Sequence, residues 1–293
     1  MSAITKGSLF PKQVEKEIFS LVKGHSSLAK LSTQEPLPFV GKDIFTFNFN
    51  SDVAIVGEGG AKPVGDGTVA TVAMQPVKVV YGMRVSNEFM YASEEYQLNI
   101  LMSFADAFSK KLGAGLDKMA MHGIDPATKT ASSVIGDNCF DKKVTGNVVT
   151  YAAASADTNI DAAIAMVEAN EYTCNGIAIS PTMRGALAAL TADGARKYPE
   201  FAFGGCPETL GAMRMDSNAA VSAAGVDHAI VGDFAECFRW GIAKELPLEV
   251  IEFGDPDGAG DLKRYNQVYL RSEAFIGWAI MNSDAFAIVN AKG

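Results

Sequence analysis

From Ile44 to Asn50 the chain alternates strictly, with Phe45, Phe47 and Phe49 on one face and Thr46, Asn48 and Asn50 on the other. The same period returns from Val77 to Val85. There Val77, Val79, Tyr81, Met83 and Val85 share a face, and Lys78, Gly82 and Arg84 point the other way. Between the two runs, the stretch from Gly57 to Gly67 holds glycine, proline and charge and reads as a flexible tip rather than core. The pattern predicts a two-stranded arm whose outgoing and returning runs pair with each other. Twelve extended residues would make it roughly 40 Å long. A lone ribbon of two strands is marginal in water, so the arm is expected to rest on another molecule or domain.

The period then changes to that of a helix. Leu98, Leu101, Phe104, Phe108, Leu112, Leu116 and Met119 recur every three or four residues and form one stripe. Ser93 precedes Glu94 and Glu95 as an N-cap followed by first-turn acids, and Gly123 follows His122 as a stop. A helix from Glu94 to His122 would be roughly 44 Å long. Asp106, Ser109, Lys110, Lys111, Asp117 and Lys118 are expected to keep its far side wet. Gly113 and Gly115 lie inside it, a cost tolerated where another element crosses closely.

Elsewhere the elements are shorter. Phe10 to Lys23 is amphipathic at helical spacing, and Lys143 to Tyr151 is strand-like. Ile160 to Glu171 predicts a helix, Gly176 to Ser180 a strand, and Thr182 to Leu190 a helix beginning beside Pro181. Strands follow at Asp227 to Asp233, Leu248 to Phe253, Gln267 to Ile280 and Ala285 to Asn290. The order is mixed α+β without repeats.

Composition narrows the function classes. The 293 residues carry 25 basic and 34 acidic side chains, a net charge of −9, which disfavours unspecific nucleic-acid binding through clustered cations. An acidic wall still allows nucleic acid to be enclosed and to slide. No run approaches about 18 apolar residues, so no membrane span is expected, and the first residues lack a signal peptide's apolar core. The chain is therefore expected to stay in the cytosol where it is made. Cys139, Cys174, Cys206 and Cys237 form no CxxC pair and read as reduced thiols.

The search for chemistry returns little. His25, His122 and His228 are the three histidines; His122 falls in a helix's last turn, where an imidazolium suits the dipole, and His228 leads into a strand. No G-x-S-x-G elbow occurs, and the glycines from Gly57 to Gly60 miss the phosphate-loop spacing. Asp255, Asp257 and Asp261 fail the calcium-loop pattern and read as a solvated turn. No catalytic, cofactor or metal site is expected.

The run Val53 to Pro63, an apolar strand entering a Gly57-Glu58 turn and then a proline, resembles the extended-loop signature of phage major capsid proteins with the Hong Kong 97 fold. Val85-Ser86-Asn87-Glu88, the helix Glu94 to His122, Ile179-Ser180-Pro181, Val231-Gly232-Asp233-Phe234 and Arg271-Ser272-Glu273 before Asp284-Ala285-Phe286 follow in that family's order. The resemblance, over roughly Phe39 to Val289, implies an α+β capsid fold. Its parts would be an N-terminal arm (1–43), an extended β-hairpin loop (44–86), a peripheral domain with the spine helix (87–156), an axial domain (157–239), peripheral long strands (240–283) and a final axial strand (284–293). It implies hexamers and pentamers closing an icosahedral shell around double-stranded DNA, in a virion assembled in the host cytoplasm. It further implies a subunit interface at Phe45, Phe47, Phe49, Val53, Ile55, Glu58 and Lys62, continued by Val77, Val79, Tyr81, Met83 and Arg84. About forty residues precede the loop, so a separate scaffolding protein, and a portal, are expected partners. Some members link a loop lysine to a neighbour's asparagine; Lys62 and Asn282 match that pattern too loosely, and no such bond is expected. An encapsulin-like compartment shell is the alternative, and a cytosolic α/β enzyme a more distant one.

Overall fold

The computed structural model describes residues 24–49, 51–245 and 249–291, so the helix expected over Phe10 to Lys23 lies outside the described residues. Its longest strand, Gln267–Ile280, organises a five-stranded sheet. On one edge it pairs antiparallel with Val77–Ser86, from Gln267 opposite Ser86 to Ile276 opposite Val77. On the other it pairs with Phe238–Glu245 and then Glu249–Ile251. Val268, Leu270, Ser272, Ala274 and Ile276 alternate inward, as a half-buried strand requires.

The pairing of Val77–Ser86 corrects the expected arm. The outgoing strand Lys42–Phe49 pairs instead with Gly67–Met74, in unbroken register from Lys42 opposite Met74 to Phe49 opposite Gly67. Gln75 and Pro76 separate the two strands that follow the tip; proline has no N–H to give a ladder, and the chain turns there onto its own body. The paired part of the arm spans eight residues per strand, about 26 Å. Leu37, Met74 and Ala279 bury its root, with Ile44 and Val72 packed against them.

The long helix runs from Glu94 to His122. The Ser93 hydroxyl accepts from the Tyr96 amide, and Gly123 ends the helix at φ 66°, its N–H donating to the Met119 carbonyl at 2.9 Å. Phe104, Phe108, Leu112 and Leu116 bury the predicted stripe; the Leu98 side chain lies outside the described residues. The wet face needs correcting, because Ser109 and Asp117 are fully buried. Asp117 accepts hydrogen bonds from the Ser26 hydroxyl (2.6 Å), the Ser27 and Leu28 amides (2.7 and 3.1 Å) and the Asn218 amide (2.8 Å). It thereby anchors the short helix Ser27–Leu31 to the long one. Cβ of an alanine at Gly115 would sit 3.5 Å from Pro126, ordinary contact with the loop that crosses there.

A second sheet of six strands has the order Val148–Thr150, Phe286–Asn290, Asp227–Gly232, Gly176–Ile179, Met213–Ser217, Thr209–Leu210. Its central strands are buried on both faces. Ile177, Ile179, Ala229 and Val231 pack beneath the helices Ala156–Ala169 and Pro181–Ala189. Ala178, Ile230, Phe286 and Ile288 face the other way and join the core around the long helix and the first sheet. Phe140, Phe234 and Phe286 meet in that junction, with ring centroids 4.9 to 6.2 Å apart. Ser180 caps Pro181–Ala189 through the Met183 amide, with proline in the first turn where its missing N–H costs nothing. The strands Met213–Ser217 and Phe238–Glu245 were not predicted; the first alternates buried Met213 and Met215 with Arg214 and Asp216 over only five residues, and the second is interrupted by Gly241.

Candidate assembly interface

Antiparallel register decides which arm residues share a face. Phe45 stands opposite Thr71 and Phe47 opposite Val69, so these four form one surface. Ile44, Val72 and Met74 form the other, turned toward the chain's own body. Phe45 and Phe47 are each 65% exposed, and Val69 is exposed beside them. The Phe49 backbone continues the strand, while its side chain lies outside the described residues. Farther out, Val53, Ile55 and Val64 are almost wholly solvent-facing, as are Glu58 and Lys62 on the polar tip. Large apolar side chains this bare and this close together mark a surface meant to be covered.

The other expected interface residues sit on the body rather than the arm. Val77 and Val79 are half-buried against the chain's own core. Tyr81 and Met83 are exposed and line a groove of about 380 Å³ with Val85, Ile100, Phe104 and Leu270. Arg84 is committed within its own chain. Its guanidinium donates to both oxygens of Asp257, to Asp255 at 3.2 Å, to Gln267 at 3.1 Å and to the Gly260 carbonyl at 2.7 Å. The hydrogen bonds from Arg84 hold the Asp257 carboxyl down to about 2. The turn from Gly254 to Asp261 is therefore clamped to the first sheet rather than freely solvated. Val69 escaped the sequence reading because its partner strand was assigned elsewhere; the alternation of Val69 and Thr71 within Gly67–Met74 was the available signal.

Two sheets, a long helix whose core takes in residues of both and an arm with an uncovered apolar face describe a subunit of an assembly. The phage capsid family matches residues 6–291, and the chain belongs to that family. A solved structure from Mycobacterium phage Ogopogo is 32% identical with a TM-score of 0.78, over 91% of this chain and 92% of that one. One from Gordonia phage Cozz is 23% identical with a TM-score of 0.74, over 91% and 86%. The capsid of an empty GTA particle shares the fold at 16% identity and a TM-score of 0.64, over 99% and 93%. No curated protein matches. The chain is a major capsid protein with the α+β Hong Kong 97-like fold, a structural component of a shell built from its own copies. This assignment favours neither the compartment nor the enzyme alternative.

Proposed function

We propose that copies of this subunit assemble as hexamers and pentamers into an icosahedral shell around double-stranded DNA, each arm lying across a neighbouring subunit. The uncovered face of Phe45, Phe47 and Val69 carries this reading. Covering about 600 Å² of apolar surface per arm would contribute roughly 15 kcal/mol gross. Association costs of about 4–15 kcal/mol absorb much of that, so closure depends on many repeated contacts. The five-stranded sheet and long helix form the peripheral domain, and the six-stranded sheet with its helices the axial domain. The extended loop ends at Met74, because Val77–Ser86 belongs to the peripheral sheet. A separate scaffolding protein and a portal complete the assembly, which takes place in the host cytoplasm.

Phe47→Asp tests the arm assignment. Its side chain is largely exposed in the subunit, so the variant should fold with an unchanged circular dichroism spectrum yet form no particles under negative stain. Normal particles from it would remove Phe47 from the interface. Particles that carry DNA instead of a protein cargo separate the virion reading from the compartment reading.

A further inference from the structure

His122, Asp141 and Asp227 come from three separate segments and converge between the two cores. His122 closes the long helix, Asp141 lies in the first turn of the short helix Phe140–Lys143, and Asp227 starts the strand Asp227–Gly232. The register shifts between Asp227 and Ala229, an irregularity of the kind that re-aims a side chain. His122 Nε2 lies 2.9 Å from the Ala220 carbonyl and donates its proton there. That bond fixes the ring, and Nδ1 then faces Asp141 Oδ2 at 2.9 Å and Asp227 Oδ2 at 3.3 Å. Asp227 is 2% exposed, and its Oδ2 has no well-formed hydrogen bond; Asp141 Oδ1 is likewise buried without one.

We propose that His122 Nδ1, Asp141 Oδ2 and Asp227 Oδ2 bind one divalent transition-metal ion, Zn²⁺ by the chemistry of the donors, at the junction of the long helix and the six-stranded sheet. One ligand atom from each of the three residues lies within 4.8 Å of the other two. Tetrahedral ligands about 2.0–2.2 Å from a shared zinc ion stand about 3.3–3.6 Å apart; the 3.3 Å separation from Nδ1 to Asp227 suits neighbouring positions as it stands, and the 2.9 Å separation to Asp141 would open by roughly half an ångström on binding. A ring nitrogen tied to a backbone carbonyl is the usual outer support of a metal-bound histidine. Charge points the same way. Two carboxylates lie at the negative end of a 29-residue helix, and one imidazolium leaves the group one charge short, whereas a divalent ion with neutral imidazole balances it. Asp141 Oδ1 offers a fourth donor. Zinc would tie the long helix to the axial sheet at the point where both cores join.

The test takes the purified full chain, stripped with a chelator, and titrates it with Zn²⁺ alone and separately with Co²⁺. One zinc per subunit, a raised melting temperature and a visible cobalt absorption band are expected. Asp227→Asn should weaken zinc binding 10- to 100-fold or more. Asp141→Asn, on a partly exposed residue, should lose the cobalt band while keeping the wild-type circular dichroism spectrum. Absence of stoichiometric zinc together with absence of the cobalt band would leave a bridging imidazolium and overturn the site. Binding that survives both aspartate substitutions would overturn it equally, by placing the ion elsewhere.

Discussion

Gly241 and Gly277 stand opposite each other on paired strands of the first sheet, and the segment from Glu35 to Leu37 crosses directly over them. A Cβ on Gly241 would lie 2.3 Å from the Glu35 carbonyl oxygen, and one on Gly277 would lie 2.7 Å from Leu37. Backbone cannot yield as a side-chain tip can, so Gly241→Ala should destabilise the subunit by roughly 2–3 kcal/mol in urea unfolding. An unchanged midpoint would mean that the crossing segment can lift away. Asp117 sets a different expectation. Burial raises its carboxyl to about 7, against the Ser26 hydroxyl and the Ser27 and Leu28 amides that favour the anion. A carboxyl that holds its proton more tightly folded than unfolded contributes stability fully present below pH about 4 and lost as pH rises through 7. Raising that pKa from near 4 to about 7 corresponds to about 4 kcal/mol. Unassembled wild-type subunit and Asp117→Asn, compared at pH 4 and pH 7, should differ by an amount that changes by about that much. A pH-independent difference would contradict the assignment.

At the scale of elements, the arm and the clamped turn behave oppositely. The arm leaves its apolar face uncovered and depends on something outside the subunit. The turn from Gly254 to Asp261 gathers its carboxylates inward onto Arg84, and Gly254, Gly258 and Gly260 supply the positive φ angles that let it fold back. Arg84→Ala should free this turn while sparing the strands around it. Limited proteolysis should then cut between Gly254 and Asp261 faster than in the wild type, and an unaltered rate would show that other contacts hold the loop.

At the scale of the molecule, the long helix lies in a core that takes in residues of both sheets. Its buried stripe packs on the five-stranded sheet, and its C-terminal turn reaches the strands and short helices of the six-stranded one. Covalent linkage between subunits is not needed to explain such a shell. Asn282 already donates its side-chain N–H to the Tyr172 hydroxyl at 2.6 Å and accepts from the Asp284 amide at 3.0 Å, both within its own chain. Particles boiled in detergent should run as a single monomer band on a denaturing gel. A ladder of covalent multimers would show that a bond forms between copies.

Local signals were legible where a short stretch of chain carries its own instructions. Ser93 and Gly123 bound the long helix at the residues their capping chemistry predicts, and strict alternation put Phe45 and Phe47 together on one face of a strand. Pairing and burial were not legible, because both depend on residues far away in sequence. Alternation says which side chains share a face but not which strand lies alongside, so Val77–Ser86 read as the arm's return when Gln267–Ile280 was its partner. Asp117 was expected on a wet helix face and Arg84 at a subunit interface, until tertiary structure brought hydrogen-bonding partners of their own chain around them. By itself the sequence determined the helix, the strand faces and the need for an outside partner; only the fold decided which apolar residues the chain covers for itself and which it leaves for a neighbour.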